Sequence, residues 1–276
     1  MRRMNHAYIF LDYDRTVFSH RTFTIPDSAY RALACAKACG HHLILDTGRV
    51  FHTAIPEHPE LFEGIIFSNG MGMIKDGALL CAQFFQQSEV ERVIRVMRDA
   101  GAGLALHGIY YSWNDPIAMA AWGIDPPDPQ RLFFPKDHMR LLSEYGGESV
   151  NKIDFFYAKD TNRALAETAL DPDWEIARVV SSATAETLGG EVTLHGINKG
   201  TGLLAYVKQA GIPVAQTIAI GDSANDIPML EAAEVGVAMG NASDAVKRVA
   251  DYVTSGIEED GIMHAFMHLG LIEDLR

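Results

Sequence analysis

Residues 7–16 read AYIFLDYDRT, an apolar run that passes directly into two carboxylates. A short apolar run of this kind is typical of a strand buried in a parallel sheet. In open α/β sheets ligands bind beyond the carboxyl ends of the strands, which is where Asp12 and Asp14 would lie. Two carboxylates this close repel each other, so the stretch predicts a divalent cation. Acids at strand ends are also common turn formers, and the rest of the chain decides between the two interpretations.

The same pattern of an apolar run followed by polar residues recurs along the chain. Such runs lie at 42–49, 64–70, 217–222, 235–240 and 252–254. They alternate with helices that we predict at 26–39 and 199–210, from near Ala224, from Ser243 and from near Glu259. Alternating strands and helices are typical of a parallel α/β sheet. We therefore predict an α/β fold with a Rossmann-like parallel sheet.

A section of different rhythm interrupts this alternation. It begins with a predicted hairpin at 71–85 and an amphipathic helix at 88–100. Further strands (104–113, 152–157, 175–181, 190–196), helices (115–122, 161–170) and a Pro-rich loop (125–130) are predicted beyond them. We interpret residues 86–188 as an inserted α+β domain, with residues 1–85 and 189–276 forming the core.

Composition limits the classes of partner. The chain has 276 residues, a formal net charge of -13 and three cysteines. A strongly acidic protein lacks the basic face that nucleic acid or an anionic membrane requires. Three cysteines without framework spacing, no evident signal peptide and no long apolar run predict a cytoplasmic protein that does not span a membrane. The oligomeric state is left open.

The polar residues at the strand ends suggest phosphate chemistry. Parallel strands end on one edge of a sheet, so this edge would gather the following side chains: Asp12, Asp14, Thr47, Asn69, Asp222, Asn225 and Asp226. Several carboxylates without a His/Cys set favour Mg²⁺ over zinc. An ionised Asp12 can attack a phosphate ester, and Asp14 is close enough to protonate the leaving alkoxide. Thr47 and Lys199 can bind the phosphoryl oxygens.

At this point the sequence resembles the haloacid dehalogenase-like (HAD) hydrolases, and within them the Cof-like phosphatases with a type IIB cap. The resemblance covers nearly the whole chain. The first family motif, DxDx[TV], is met by Asp12, Asp14 and Thr16, and the second by Thr47 in a TGR context. The third is Lys199 in NKG, and the fourth is GDSAND at 221–226. Four motifs in order, separated by a cap-sized insertion, are a specific signal.

The resemblance implies roles for these residues. Asp12 would form an aspartyl-phosphate, and Asp14 would act as acid and base and bind Mg²⁺ through its backbone carbonyl. The metal set is then Asp12, Asp14, Asp222 and Asp226, and the phosphate-binding set is Thr47, Gly48, Lys199 and Asn225. The substrate is expected to be a small phosphorylated metabolite, with a sugar phosphate favoured. Candidate substrate contacts are Arg15, Arg49 and Asn69.

The roles of two arginines stay open, and one of them departs from the family pattern. Most relatives have Gly where this chain has Arg15, which puts the size of the substrate and its entry route in doubt. Arg49 could equally make a structural ion pair.

The alternatives to a general phosphatase are a specialised mannosyl- or sucrosyl-type phosphatase, a phosphomutase on the same core, and a non-catalytic sensor of phosphorylated ligands.

Overall fold

A computed structural model describes residues 6–122, 138–180 and 186–273 of the chain. The Pro-rich loop predicted at 125–130 lies outside these residues. Two compact units can be distinguished. Unit 1 is formed within Met1–Gly48, Ile55–Cys81 and Ile197–Arg276, and unit 2 within Arg49–Ala54 and Ala82–Gly196. The division into a core of 1–85 and 189–276 and an insert of 86–188 stays a prediction beside these bounds.

Unit 1 is built on an eight-stranded sheet with the order β14-β13-β12-β1-β2-β3-β4-β5. Its strands are β1 (Tyr8–Leu11), β2 (His42–Asp46), β3 (Gly64–Phe67), β4 (Gly72–Lys75), β5 (Ala78–Ala82), β12 (Thr217–Gly221), β13 (Val235–Ala238) and β14 (Tyr252–Val253). The strands from β14 to β3 pair in parallel, and β4 joins β3 in the antiparallel direction. The predicted α/β fold with a parallel core sheet is confirmed.

Two helical layers cover this sheet. The helices are α1 (Asp27–Ala38), α5 (Lys199–Ala210), α6 (Ile227–Ala232), α7 (Asp244–Val249) and α8 (Gly261–His268). Alternate strand residues point to opposite faces. Leu11 and Leu45 accordingly pack with α1 and α8 in one apolar cluster. Phe10 and Ile44 pack with α5, α6 and α7 in another. Both faces are covered, which explains why the strands are continuous apolar runs.

Unit 2 contains a six-stranded, mostly antiparallel sheet with the order β10-β11-β9-β6-β7-β8. Its strands are β6 (Gly103–His107), β7 (Ser112–Asn114), β8 (Met139–Leu141), β9 (Lys152–Phe156), β10 (Glu175–Val180) and β11 (Thr187–Thr193). Its helices are α2 (Gln87–Ala100), α3 (Pro116–Ala121) and α4 (Arg163–Glu167). Val90, Val93 and Met97 form the buried stripe of α2, as its 3.6-residue periodicity requires.

The structure corrects two predicted elements. The strand predicted at 104–113 is a hairpin, because the chain turns between β6 and β7 and the Gly108 N–H donates to the Tyr111 carbonyl oxygen at 2.8 Å. The helix predicted from near Ala224 begins as a 3-10 turn over Ala224–Asp226, and α6 starts at Ile227. Within the described residues, none of the helices is both long and apolar enough to cross a membrane.

Candidate active site

Four neighbouring strands bring the polar residues of the sequence motifs to one edge of the sheet in unit 1. In the order β12-β1-β2-β3, these strands end at or just before Asp222, Asp12, Thr47 and Asn69. The Asp12 N–H donates to the Ile220 carbonyl oxygen at 2.9 Å, and the Thr47 N–H donates to the Ile66 carbonyl oxygen at 2.9 Å. These two residues are therefore fixed by the last bonds of the sheet itself.

Lys199 is the buried cation of this edge. It is the first residue of α5, and its side chain is fully buried. Its Nζ lies 2.6 Å from Asp12 Oδ1 and 2.5 Å from Asp226 Oδ1. Burial works to lower the pKa of Lys199, but the Asp12 and Asp226 carboxylates outweigh it and raise the pKa above its usual value. The ammonium stays charged and links two motifs that are far apart in sequence.

Three buried carboxylates form a group that could hold a metal ion. Oxygen atoms of Asp12, Asp222 and Asp226 lie within 4.8 Å of one another. Burial raises the pKa of Asp12, and it raises the pKa of Asp222 to about 6, with the Asp226 charge adding to both effects. Three carboxylates against one ammonium leave excess negative charge, so a divalent cation would favour their ionised forms. Hard carboxylate oxygens are the donors that suit Mg²⁺.

Asp226 also closes the turn that follows β12. Its Oδ2 accepts the backbone N–H groups of Asp222 at 2.9 Å and Ser223 at 2.8 Å. A Cβ on Gly221 would lie 2.5 Å from the Asp226 Cβ, so only glycine allows the carboxylate to fold back in this way. Asp226 thus holds the backbone of Asp222 with one oxygen and Lys199 with the other.

Asn69, Asn225 and Thr47 form a hydrogen-bonded set beside the carboxylates. Asn225 Nδ2 donates to Asn69 Oδ1 at 3.0 Å, and the Asn69 N–H donates to the Thr47 carbonyl oxygen at 3.1 Å. Asn69 has a φ of 53°, in the left-handed region that Asn tolerates better than most residues. Gly70 follows at a φ of 100°, and a Cβ there would lie 2.6 Å from the Asn198 carbonyl oxygen. The loop after β3 is thereby held against the start of α5.

Arg15 contacts one of the carboxylates. It has a φ of 64°, which explains why glycine would suit this position. Its Nη2 lies 3.4 Å from Asp222 Oδ2, while the side chain is 51% exposed. Asn241 Nδ2 donates to the Arg15 carbonyl oxygen at 3.0 Å and to Asp222 Oδ2 at 3.3 Å. The guanidinium is therefore a solvent-facing counter-charge for Asp222.

The remaining predicted residues have different surroundings. Asp14 is partly buried, and its Oδ1 lies 2.7 Å from His20 Nε2. Gly48 follows Thr47 directly and ends the first segment of unit 1. Arg49 belongs to unit 2, where its Nη1 donates to the Thr53 carbonyl oxygen at 3.4 Å. The predicted contact between Arg49 and substrate stays a prediction.

Three residues of this edge were missing from the predicted set. His20 contacts Asp14 through a loop whose sequence has no distinctive spacing. Asn241 follows β13 by three residues, so the strand-end argument could have found it. Asp46 is the last residue of β2 and is fully buried. Its place directly before Thr47 was a signal available in the sequence.

Known proteins are similar to this chain along almost its whole length. A sequence model of a family described as haloacid dehalogenase-like hydrolase matches residues 9–266. The pyridoxal phosphate phosphatase YbhA of Escherichia coli (strain K12) is 29% identical to this chain, over 94% of this chain and 97% of its own length. The family signal is thus not confined to the four motifs.

Solved structures show the same fold. The HAD subclass IIB sugar phosphatase BT4131 is 28% identical and superposes with a TM-score of 0.82, covering 96% of this chain and 100% of its own. A second structure, reported for a trigonal-bipyramidal intermediate in a phosphoryl-transfer superfamily, is 26% identical with a TM-score of 0.78. It covers 98% of this chain and 100% of its own.

Proposed function

The chain belongs to the haloacid dehalogenase-like hydrolases and is a phosphatase of that family, and we propose that it is an Mg²⁺-dependent phosphomonoester hydrolase that works through an aspartyl-phosphate on Asp12. The observation that carries the proposal is the buried Lys199 ammonium, shared by Asp12 and Asp226 at 2.6 and 2.5 Å. Such an ammonium orients Asp12 and lies where a phosphoryl group would need a positive charge.

Asp12 is the proposed nucleophile. Its carboxylate attacks phosphorus, the bond from phosphorus to the ester oxygen breaks, and an acyl phosphate forms on the Asp12 side chain. Lys199 holds Oδ1 in a fixed direction, so the carboxylate needs little reorganisation before attack. The Thr47 hydroxyl, the Gly48 backbone, Lys199 and Asn225 bind the phosphoryl oxygens in this proposal.

Asp14 is the proposed acid and base. It gives a proton to the leaving alkoxide, and it later removes a proton from the water that hydrolyses the acyl phosphate. Its side chain is 30% exposed, so water can reach it, and the His20 ring at 2.7 Å fixes its orientation. Hydrolysis restores the Asp12 carboxylate and releases inorganic phosphate.

The carboxylate group fits Mg²⁺ in this proposal. The donors would be Asp12, Asp222 and Asp226 through their side chains and Asp14 through its backbone carbonyl. When bound, Mg²⁺ supplies positive charge that screens the phosphate and the attacking carboxylate from each other. The support is the cluster of buried oxygen atoms within 4.8 Å of one another.

The proposed substrate is a small phosphorylated metabolite, with a sugar phosphate as the favoured class. The support is similarity to a subclass IIB sugar phosphatase and to a pyridoxal phosphate phosphatase. Arg15, Arg49 and Asn69 remain the proposed substrate contacts. A cytoplasmic location remains part of the proposal, supported by the free state of Cys35, Cys39 and Cys81.

The test is phosphate release from a panel of phosphorylated metabolites and from p-nitrophenyl phosphate, with Mg²⁺ and with EDTA. Wild-type protein should release phosphate only with Mg²⁺, and Asp12→Asn should release none while keeping its circular dichroism spectrum. Residual turnover by folded Asp12→Asn would contradict the assignment of the nucleophile. Binding of panel compounds without turnover by wild-type protein would favour the sensor, and isomerisation without phosphate release would favour the mutase.

A further inference from the structure

Asp46 is a buried acid that the proposed reaction does not use. It is the last residue of β2, and its exposure is 0%. Neither carboxylate oxygen has a hydrogen-bond partner among residues 6–122, 138–180 and 186–273. An unpartnered carboxylate in the interior opposes folding, because its lost hydration is not replaced. A buried carboxylate that destabilises the fold in this way suggests that Asp46 has a functional role.

The sheet register puts Asp46 next to Asp12. The last registered pair between β1 and β2 is Leu11 with Leu45, so Asp12 and Asp46 come next on neighbouring strands. Adjacent strands are about 4.8 Å apart, and paired residues point to the same face. On its other side Asp46 pairs with Ile66 of β3, whose side chain faces α5. Asp46 therefore lies under α5, in the same row as the proposed nucleophile.

The first turn of α5 lies directly on this row. Gly202, one turn after Lys199, approaches β3 so closely that a Cβ there would lie 3.0 Å from Ile66 Cγ2. Residues three apart share one face of a helix, so Lys199 is directed at the same part of the sheet. Burial raises the pKa of Asp46, and the Lys199 charge opposes this effect, which agrees with the proximity of the two groups.

The Lys199 ammonium has three N–H donors, two of which are held by Asp12 and Asp226. This arrangement changes during the proposed reaction. When Asp12 becomes an acyl phosphate, its carboxylate charge is lost and Lys199 keeps only Asp226 as a carboxylate partner. With one N–H on Asp226 and one on the phosphoryl oxygens, the third N–H needs an acceptor close by that would hold the ammonium in place until water attacks.

We propose that Asp46 is a positioning residue for Lys199, which accepts an N–H of the ammonium while Asp12 is phosphorylated and releases it when the Asp12 carboxylate is restored. The inference rests on the proposed function. Asp46 forms and breaks no covalent bond and transfers no proton. It exchanges one hydrogen bond with Asp12 in each cycle, and this role accounts for the absence of a hydrogen-bond partner among the described residues.

The test separates phosphoenzyme formation from its hydrolysis. Asp46→Ala removes both oxygens, and Asp46→Asn keeps one acceptor oxygen at the same place. Ile44→Val is the matched control, because it shortens a buried side chain on the same face of β2 without touching the polar row. Rapid mixing with p-nitrophenyl phosphate and Mg²⁺ measures the initial burst of p-nitrophenol and the steady-state rate, and urea unfolding measures stability.

In Asp46→Ala we expect the burst to persist, the steady-state rate to fall at least tenfold, and the urea midpoint to equal or exceed that of the wild type. Asp46→Asn should recover part of the steady-state rate, and Ile44→Val should keep it within twofold. A steady-state rate within twofold of wild type in Asp46→Ala would overturn the inference. A joint decrease of the burst, the steady-state rate and the urea midpoint would also overturn it, since a purely structural role of Asp46 predicts that all three decrease. Wild-type protein without Mg²⁺-dependent turnover would overturn the proposed function itself.

Discussion

Arg15→Gly should strengthen Mg²⁺ binding. The guanidinium lies 3.4 Å from Asp222 Oδ2, so in the proposed site it competes with the metal for one carboxylate. Glycine removes this competitor and also suits the φ of 64° at this position. The Asn241 amide keeps its hydrogen bond to Asp222 in the variant, so the carboxylate stays in place. The change therefore isolates one charge at the edge of the site.

The size of the effect follows from exposure. The Arg15 side chain is 51% exposed, and ion pairs of exposed side chains contribute roughly 0.2–1 kcal/mol. Since 1.4 kcal/mol corresponds to a tenfold change, the Kd for Mg²⁺ should fall by about 1.4- to 5-fold. The relief of left-handed backbone strain, about 1–2 kcal/mol, is offset by the larger unfolded-state entropy of glycine, about 0.5–1 kcal/mol. The free energy of unfolding should thus change little, by about 1 kcal/mol.

The assay is a titration of Mg²⁺ into metal-free protein by calorimetry at low and high salt. The difference between Arg15→Gly and wild type should shrink in 1 M salt, where the screening length is about 3 Å. Arg21→Ala is the matched control, since it removes an exposed arginine that pairs with Glu258 rather than with Asp222. A Kd for Mg²⁺ that is unchanged or larger in Arg15→Gly would refute the argument. A changed substrate profile at unchanged stability would support the proposed contact of Arg15 with substrate.

Three further predictions follow from burial and charge. Lys199→Met leaves the Asp12 and Asp226 carboxylates buried without the ammonium that pairs with them. It should therefore lower the free energy of unfolding in urea by about 3–5 kcal/mol and abolish turnover. A urea midpoint equal to that of the wild type would contradict the expected loss of stability. EDTA should remove activity and Mg²⁺ should restore it, whereas restoration by Zn²⁺ alone would count against the hard-oxygen site. Burial, with His107 and His138 nearby, lowers the pKa of His52 to about 4. Between about pH 6.5 and pH 4 the His52 ring is therefore protonated in the unfolded chain but not in the folded protein. The free energy of unfolding should fall as the pH falls, by about 3 kcal/mol over that window. His52→Gln should flatten that part of the curve of unfolding free energy against pH, and an equally steep curve would argue against it.

The sequence predicted those parts of the site that depend on strand ends. Asp12, Thr47 and Asp222 follow apolar runs, and in a parallel sheet such ends must meet at one edge whatever their separation along the chain. Lys199 was predicted by its motif, and the boundaries of α5 agree with the prediction because Asn198 caps the helix and Gly211 ends it. These features are local in sequence or fixed by a topological rule. The prediction of the family is confirmed by the match over residues 9–266.

Other features depend on contacts that no local pattern encodes. His20 reaches Asp14 only because a loop folds back, and Arg15 reaches Asp222 across 207 positions of sequence (222 minus 15). The hairpin between β6 and β7 was missed because its turn consists of apolar and aromatic residues, with Gly108 as the single turn signal. Asp46 precedes Thr47 directly, but nothing in the sequence shows that neither of its carboxylate oxygens has a hydrogen-bond partner among the described residues.

The two carboxylates of the first motif have different surroundings, and this difference supports their proposed division of roles. Asp12 is 8% exposed and held by an ammonium, so its direction is fixed and its access to water is small, as a nucleophile aimed at phosphorus requires. Asp14 is 30% exposed and touches an imidazole, so protons can move between it, water and a leaving group. A fixed, poorly hydrated carboxylate suits attack on phosphorus, and a solvent-accessible carboxyl group suits proton transfer. The spacing of two residues produces the contrast, because Asp12 continues the buried strand while the chain beyond it turns away from the sheet at Asp14.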